Sequence, residues 1–194
     1  MNAPLILASR SPRRRELLAE AGYRFTVVPP DEAAESGAPG GDGPAELVAR
    51  LARQKAADVA ARCDRGIVLG CDTVAECDGA ILGKPADAEH ARQMLRTLCG
   101  REHRVFSGLC LWPLPDGPPQ TRVAVTRLRM DPLSDRQIEE YLASGQWQGK
   151  AGAFGYQDRL GWVHVVEGSP TNVVGLPMEL LAEMLAALPQ SPQY

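Results

Sequence analysis

A short apolar run leads directly into a cluster of arginines in the stretch Leu5-Ile6-Leu7-Ala8-Ser9-Arg10-Ser11-Pro12-Arg13-Arg14-Arg15. The four apolar residues at its start predict a short buried strand. Ser11 is a suitable helix N-cap, Pro12 fits the first helical turn, and Gly22 is a natural stop, so a helix is predicted to follow at once. A strand that passes straight into a helix is typical of α/β folds.

The rest of the chain continues this alternation. Strands are predicted at residues 25–28, 67–70, 103–112, 121–130 and 162–166, with a hairpin over 74–82 that turns at Asp78-Gly79. Helices are predicted at 44–62, 87–98, 134–145 and 177–188, and a loop at 29–43. Together these elements predict an α/β fold with a mixed sheet and flanking helices, in which residues 1–194 form a single domain.

Composition excludes several classes of protein. The chain has 194 residues, 44% of them hydrophobic, and a net charge of −3, so it lacks the basic excess typical of proteins that bind nucleic acid polymers. No apolar run approaches the ~20 residues of a membrane span, and the N-terminus does not resemble a signal peptide. The five cysteines are odd in number and form no CxxC pair. We therefore expect reduced thiols in a soluble, cytoplasmic protein.

The arginines at the start of the first helix conflict with the helix dipole, which disfavours each cation there by about 0.3–1 kcal/mol. The conflict disappears if the turn binds an anion, because backbone N–H groups, the hydroxyls of Ser9 and Ser11, and guanidinium groups together suit a phosphate. Ligands of open α/β sheets also bind at the carboxyl ends of strands. We interpret the stretch as a phosphate site; the alternative is a solvated basic patch with Ser11 as an ordinary cap.

A second candidate site lies in Gly70-Cys71-Asp72-Thr73, where Asp72 is predicted at the carboxyl end of a central strand. Metal ligands and general bases occupy such positions in α/β folds, although an aspartate there can also simply cap a turn. Lys84 does not belong to a P-loop, because Gly79–Pro85 is one residue too short and Pro85 stands where Ser or Thr is required. Lys84 is instead interpreted as a point charge directed at a phosphate.

Asp31, Glu32 and Glu35 form an acidic group in the loop at 29–43. Carboxylates near a triphosphate suit magnesium or manganese, and solvated loop charge is the alternative. Lys55 on the second predicted helix, taken alone, is interpreted as a surface lysine. The three histidines are scattered, so we predict neither a zinc site nor a Ser–His–Asp triad; they are His90, His103 and His164.

Residues 8–18, Ala-Ser-Arg-Ser-Pro-Arg-Arg-Arg-Glu-Leu-Leu, resemble the opening motif of the Maf nucleotide pyrophosphatases. Four further motifs follow in the family's order, namely Asp72-Thr73-Val74, Leu82-Gly83-Lys84-Pro85, Gly149-Lys150-Ala151-Gly152-Ala153 and Asn172-Val173-Val174-Gly175-Leu176-Pro177. The resemblance covers the chain from about Leu5 to Leu188. It implies two lobes around a central nucleotide-binding cleft, and a homodimer.

The resemblance also implies a reaction: hydrolysis of a nucleoside triphosphate to monophosphate and pyrophosphate, with Mg²⁺ or Mn²⁺. The resemblance implies that Asp72 accepts the proton from the attacking water. It also implies that Glu32 and Asp72 are the metal ligands. Phosphate contacts are implied for Ser9, Lys55 and Lys84. Substrate choice is implied for Arg13, Thr73 and Gln157.

The glycine-rich motif followed by Gln157 is similar to the branch of the family that acts on dTTP and UTP. Two departures bear on this preference: Asp158 stands where the family usually has glycine, and Tyr156 is bulkier than the usual aliphatic residue. The shortened acidic loop leaves Asp31 as an alternative to Glu32. The rival functions are a 7-methyl-GTP or broad-specificity pyrophosphatase, and a nucleotide-binding regulator of septum formation.

Overall fold

The computed structural model describes residues 3–35, 43–158 and 160–188. Its strands are β1 (Leu5–Ala8), β2 (Phe25–Val27), β3 (Gly66–Cys77), β4 (Ala80–Leu82), β5 (Glu102–Leu114), β6 (Gln120–Met130) and β7 (Val163–Glu167). Its α-helices are α1 (Pro12–Glu20), α2 (Glu32–Glu35), α3 (Pro44–Ala60), α4 (Ala88–Leu98), α5 (Asp135–Ala143), α6 (Pro170–Val174) and α7 (Met178–Ala186). Two 3₁₀ turns, Ala151–Ala153 and Tyr156–Asp158, occupy the glycine-rich segment between α5 and β7.

The strands form one mixed sheet in the order β2-β1-β3-β5-β6-β7, with β4 paired to β3. Strand β1 is parallel to β2 and β3, whereas β5, β6 and β7 are joined by antiparallel ladders. Helices interleave with these strands along the chain. The predicted α/β fold with a mixed sheet is therefore confirmed.

Strand β3 corrects the predicted position of Asp72. The sequence places this residue at the end of a strand over 67–70, but β3 runs on to Cys77. Its parallel partner β1 ends at Ala8, opposite Gly70, while the antiparallel partner β5 continues the ladder as far as Glu76. Asp72 thus lies inside β3, two residues past the point where β1 turns towards α1.

Two glycines allow α3 to lie directly against the sheet. A Cβ atom at Gly70 would overlap the carbonyl oxygen of Ala52, and one at Gly108 would overlap that of Val48. Both carbonyls belong to α3. Because no side chain separates the helix from β3 and β5 at these points, the residues of α3 that face the sheet come close to Asp72.

The core is divided along β3. Leu69 and Cys71 belong to a cluster that packs α1 and α7 against β1, whereas Ala75 and Cys77 belong to a cluster that includes α4 and α5. Residues 72 and 73 lie between the two groups. This division agrees with the expected arrangement of two packed regions around a cleft.

Local signals were mostly confirmed. The Asp87 side chain caps α4 by accepting from His90 N at 2.8 Å, Ser134 and Gln137 form a capping box on α5, and the β3–β4 turn has positive φ at Asp78 and Gly79. The short helices α2 and α6 were not predicted. Part of the loop predicted at 29–43, residues 36–42, lies outside the described residues.

Candidate active site

A cleft of about 300 Å³ opens beside the middle of β3. Its walls come from the end of β1 and the start of α1, from α3 and β3, from the loop after β4, and from the glycine-rich segment and α6. Among the described residues, six cations and a single carboxylate line it. The cations are Arg10, Arg13, Arg14, Lys55, Lys84 and Lys150, and the carboxylate is Asp72.

The start of α1 faces this cleft. Ser9 is buried, and its hydroxyl accepts from Ser11 N at 3.1 Å and from Arg14 Nη1 at 3.2 Å. Ser11 occupies the N-cap position, but within the described residues its hydroxyl makes no capping hydrogen bond. The first turn also contains no acidic residue. Its backbone N–H groups and the Ser11 hydroxyl are therefore suited to an anion, because the first N–H groups of a helix lack intrahelical partners.

The arginines of this stretch have separate roles, which the sequence did not distinguish. Arg14 is buried and has a structural role, since it donates to Gly175 O at 2.8 Å and to Thr73 Oγ1 at 3.2 Å. Arg15 is exposed and is not among the described residues that line the cleft. Arg10, Arg13 and Arg14 all line the cleft, but the hydrogen bonds of Arg14 go to Gly175 and Thr73, so Arg10 and Arg13 are the arginines of this stretch that suit a ligand.

Arg13 connects the two sides of the cleft. Its Nη2 atom donates to the carbonyl oxygen of Gly149, 2.8 Å away in the glycine-rich segment. Burial, followed by the charge of Arg14, lowers the pKa of Arg13 from its ordinary value. An arginine whose charge is only partly compensated in a half-buried position is well placed to bind an anionic ligand.

Asp72 and Lys55 form a close ion pair at the floor of the cleft. Lys55 Nζ lies 2.5 Å from Asp72 Oδ1, and only 8% and 15% of the two side chains are exposed. The expectation of a surface lysine was therefore wrong. Lys55 falls on the sheet-facing side of α3 with Leu51, Ala52 and Val59. Its place at helical spacing within an apolar face was the signal that the sequence offered.

Thr73 follows Asp72 on β3 and lies opposite Ser107 of β5. The two hydroxyl oxygens are 2.8 Å apart. Because Thr73 also accepts from Arg14, its side chain is fixed by neighbours on two elements. It lines the cleft beside the carboxylate.

Lys84 and Gln157 approach from the opposite side. The backbone N–H of Gly152 donates to Gly83 O at 3.0 Å and so joins the Lys84 loop to the glycine-rich segment. Gln157 is the exposed middle residue of the second 3₁₀ turn and lines the cleft. Lys150 of the Gly-Lys-Ala-Gly-Ala motif also lines it, a role that the sequence did not predict.

The predicted acidic ligands are not gathered with Asp72. The Glu32 side chain is 91% exposed, lies 3.8 Å from Arg10 Nη1, and is not among the described residues that line the cleft. Asp31 is exposed as well, and the side chain of Glu35 is outside the described part of the chain. Within the described residues, no group of three or more His, Cys, Asp or Glu is arranged to hold a metal. Asp72 is the one carboxylate at the described part of the cleft, and Mg²⁺ accepts such a site when a ligand supplies further oxygens, since it often takes only one or two carboxylates.

The remaining reactive residues behave as expected. His103 is buried against Phe154 with ring centroids 5.2 Å apart, which agrees with a structural histidine. All five cysteines lie in the described residues, and each is a free thiol. Within the described ranges no helix has the length and apolar character needed to cross a bilayer.

Residues 4–188 match the model of a protein family described as Maf-like protein. A dTTP/UTP pyrophosphatase of Rhodopirellula baltica is 54% identical over 96% of this chain and 83% of its own length. A dTTP/UTP pyrophosphatase of Carboxydothermus hydrogenoformans is 43% identical over 91% of this chain and 94% of its own. The structure of a HAM1 protein from Coxiella burnetii superposes with a TM-score of 0.50 at 18% identity, covering 96% of this chain and all of that one, which shows likeness of fold.

Proposed function

Because the chain belongs to the Maf-like protein family, we propose that it is a nucleoside triphosphate pyrophosphatase that hydrolyses dTTP and UTP to the monophosphate and pyrophosphate. One structural observation carries this function. The whole chain has a net charge of −3, yet its cleft gathers six cations around a single carboxylate among the described residues. A compact polyanion beside one proton acceptor is the substrate that such a charge distribution favours.

The cations of the cleft bind different parts of the triphosphate. Arg13 and Lys84 hold the outer phosphates from opposite sides of the cleft, and the start of α1 with Ser9 and Ser11 adds hydrogen-bond donors. When the outer phosphates are clamped as a unit, the α phosphorus is left for attack by water, and pyrophosphate is the leaving group. The developing charge on that leaving group is stabilised by the same cations.

Asp72 is the proposed general base. Lys55 donates to Oδ1 and fixes the carboxylate, so Oδ2 is the oxygen that takes the proton from the attacking water. Thr73, held by Arg14 and Ser107, lies next to the base and faces the sugar or the α phosphate.

We also propose that the reaction requires Mg²⁺ or Mn²⁺, bound by Asp72 together with phosphate oxygens of the substrate. The cation would offset charge on the bridge between the α and β phosphates. Glu32 stays the proposed second carboxylate, with Asp31 as the alternative. Neither residue lines the cleft in the described part of the chain, so either would reach the cation only if the segment around α2 moved.

Gln157 is proposed to choose the base. Its amide offers a donor and an acceptor side by side, which match the adjacent acceptor and donor of uracil or thymine. A base that leaves these groups unpaired is disfavoured by about 1–3 kcal/mol for each buried group.

We also propose that the protein is a homodimer in the cytoplasm. Sedimentation of the purified chain tests the dimer.

The decisive experiment measures pyrophosphate and orthophosphate separately for UTP, dTTP, CTP, GTP and 7-methyl-GTP. We expect pyrophosphate, with UTP and dTTP ahead. Release of orthophosphate in the absence of an added pyrophosphatase means γ cleavage and refutes the reaction. A clear lead for 7-methyl-GTP assigns the other branch, and saturable binding without turnover assigns a nucleotide-binding regulator.

A further inference from the structure

A buried ion pair lies behind the residue proposed to read the base. Lys150 Nζ is 2.6 Å and 2.5 Å from the two carboxylate oxygens of Asp158, and about a tenth of each side chain is exposed. Tyr141 of α5 donates its hydroxyl hydrogen to Asp158 Oδ2 at 2.8 Å. Burial, and then the hydrogen bond to Asp158, raise the pKa of Tyr141, so the hydroxyl stays protonated and remains a donor at neutral pH.

These contacts stabilise a short segment whose own hydrogen bonds are too few to fix its position. Asp158 ends the 3₁₀ turn Tyr156–Asp158, whose middle residue is Gln157. A single 3₁₀ turn has poor hydrogen-bond geometry and no cooperative length, so its position depends on outside contacts. Tyr141 is a rigid anchor, because it is buried in α5 and packs edge-on against Trp162 with ring centroids 5.4 Å apart.

The backbone is shaped to admit this ion pair. A Cβ atom at Gly155 would collide with both Lys150 Nζ and Asp158 Oδ2. The carbonyl of Gly155 also accepts from Asp158 N at 3.2 Å and closes the turn. The absence of a side chain at Gly155 therefore lets the ion pair and the turn occupy the same small space.

We infer that Asp158, held by Lys150 and Tyr141, is a positioning residue that fixes the Gln157 amide against the pyrimidine edge and so sets the base preference. This inference rests on the proposed function. Asp158 lies behind the cleft lining, whereas Gln157 and Lys150 form part of it. Its effect on the choice of base therefore passes through the orientation of Gln157. Its charge also faces Lys150 and Arg13, but that effect acts on UTP and CTP alike and should cancel in their ratio.

The test compares kcat and KM for UTP and CTP in Asp158→Asn and Tyr141→Phe, each in the wild-type and Gln157→Ala backgrounds. We expect the UTP/CTP ratio of kcat/KM to fall about tenfold in Asp158→Asn and about threefold in Tyr141→Phe, with kcat for UTP changing less than the ratio. In the Gln157→Ala background, where the preference is already lost, neither substitution should lower it further. Glu179→Gln is the matched control, since Glu179 accepts from Ser169 and Thr171 in a similar carboxylate network elsewhere.

The outcomes separate this inference from the function beneath it. If Gln157→Ala loses the preference while Asp158→Asn and Tyr141→Phe keep it, the positioning role alone is refuted. Additive losses in the Gln157→Ala background also refute it, because Asp158 would then act independently of Gln157. If Gln157→Ala keeps the preference, the role of Gln157 and this inference are refuted while the proposed hydrolysis stands. If the wild type cleaves no nucleoside triphosphate, the proposed function itself fails. Should Asp158→Asn fold poorly, Tyr141→Phe decides the matter, since it retains the ion pair.

Discussion

Replacing Asp72 by asparagine removes one charge from the floor of the cleft and little else. Asparagine keeps an oxygen that can accept from Lys55, which lies 2.5 Å from Asp72 Oδ1. Truncation to alanine would instead leave the buried Lys55 ammonium without a partner, at a cost of about 3–5 kcal/mol in folding free energy. Asp72→Asn is therefore the substitution that separates chemistry from stability.

The expected loss is in turnover. A positioned general base contributes about 10²–10⁴ in rate, equivalent to about 3–5 kcal/mol in the activation barrier. In the absence of metal, nucleotide affinity should stay the same or increase, because the cleft gains one unit of positive charge when the carboxylate is neutralised. We thus expect kcat for UTP to fall by two to four orders of magnitude, to about 10⁻²–10⁻⁴ of wild type, with Kd no weaker.

The assay combines single-turnover hydrolysis with equilibrium binding of UTP, and is repeated at increasing Mg²⁺. Asp135→Asn is the control, since it makes the same change at an exposed ion pair with Arg96. Wild-type turnover in Asp72→Asn would remove Asp72 from the mechanism. Recovery of the rate at high Mg²⁺ would show that Asp72 acts through the metal alone and would remove its role as general base.

Three further outcomes follow from the same structure. Chelation by EDTA should abolish hydrolysis, with Mg²⁺ or Mn²⁺ restoring it; full activity in chelator, or rescue by zinc alone, contradicts an oxygen-ligand site. Gln157→Ala should lower the preference for UTP over CTP by about tenfold and kcat for UTP much less, as measured by kcat/KM for both substrates. Burial lowers the pKa of His103 to about 4 from an ordinary 6.5, so the unfolded chain binds an extra proton between these values. Stability is then fully present above pH 6.5 and falls by up to about 3 kcal/mol as the pH drops to 4. Urea unfolding of wild type and His103→Phe at pH 7 and pH 4.5 measures this, and equal pH dependence in the two proteins would exclude His103 as the source.

Local sequence signals predicted most elements because each acts over a few residues. Asp87, Ser134 and the Asp78-Gly79 turn were identified from chemistry that needs no tertiary partner. The break predicted between the strand at 67–70 and the hairpin at 74–82 was wrong because strand length depends on the partner. The ladder with β5 continues after β1 has stopped at Ala8, and residues 71–73 contain no signal that reveals it.

The candidate site was predicted as a set of residue types and positions, but not as a set of pairings. The pairing of Lys55 was hidden because its partner Asp72 is on another element, although the place of Lys55 on the apolar face of α3 was visible. The sequence could not tell Arg13 from Arg14, since only the packing of Gly175 and Thr73 shows that Arg14 points inward. The Lys150–Asp158 pair bridges an irregular segment, for which no periodicity exists to predict which side chains meet.

The pairings also explain how an acidic protein keeps a cationic cleft ready for a triphosphate. Surface charges more than about 8 Å away are largely screened at physiological ionic strength, so the net charge of −3 has little influence inside the cleft. Of the lysines that line the cleft, Lys55 forms an ion pair with Asp72, and Lys150 forms one with Asp158 behind the lining. These pairs limit repulsion among the buried cations before the substrate arrives. Arg13 donates to the carbonyl of Gly149, a neutral acceptor that a phosphate oxygen can replace with a stronger charge-assisted bond. The buried cations therefore fix the geometry of the site, and Arg13 keeps its charge available for the ligand.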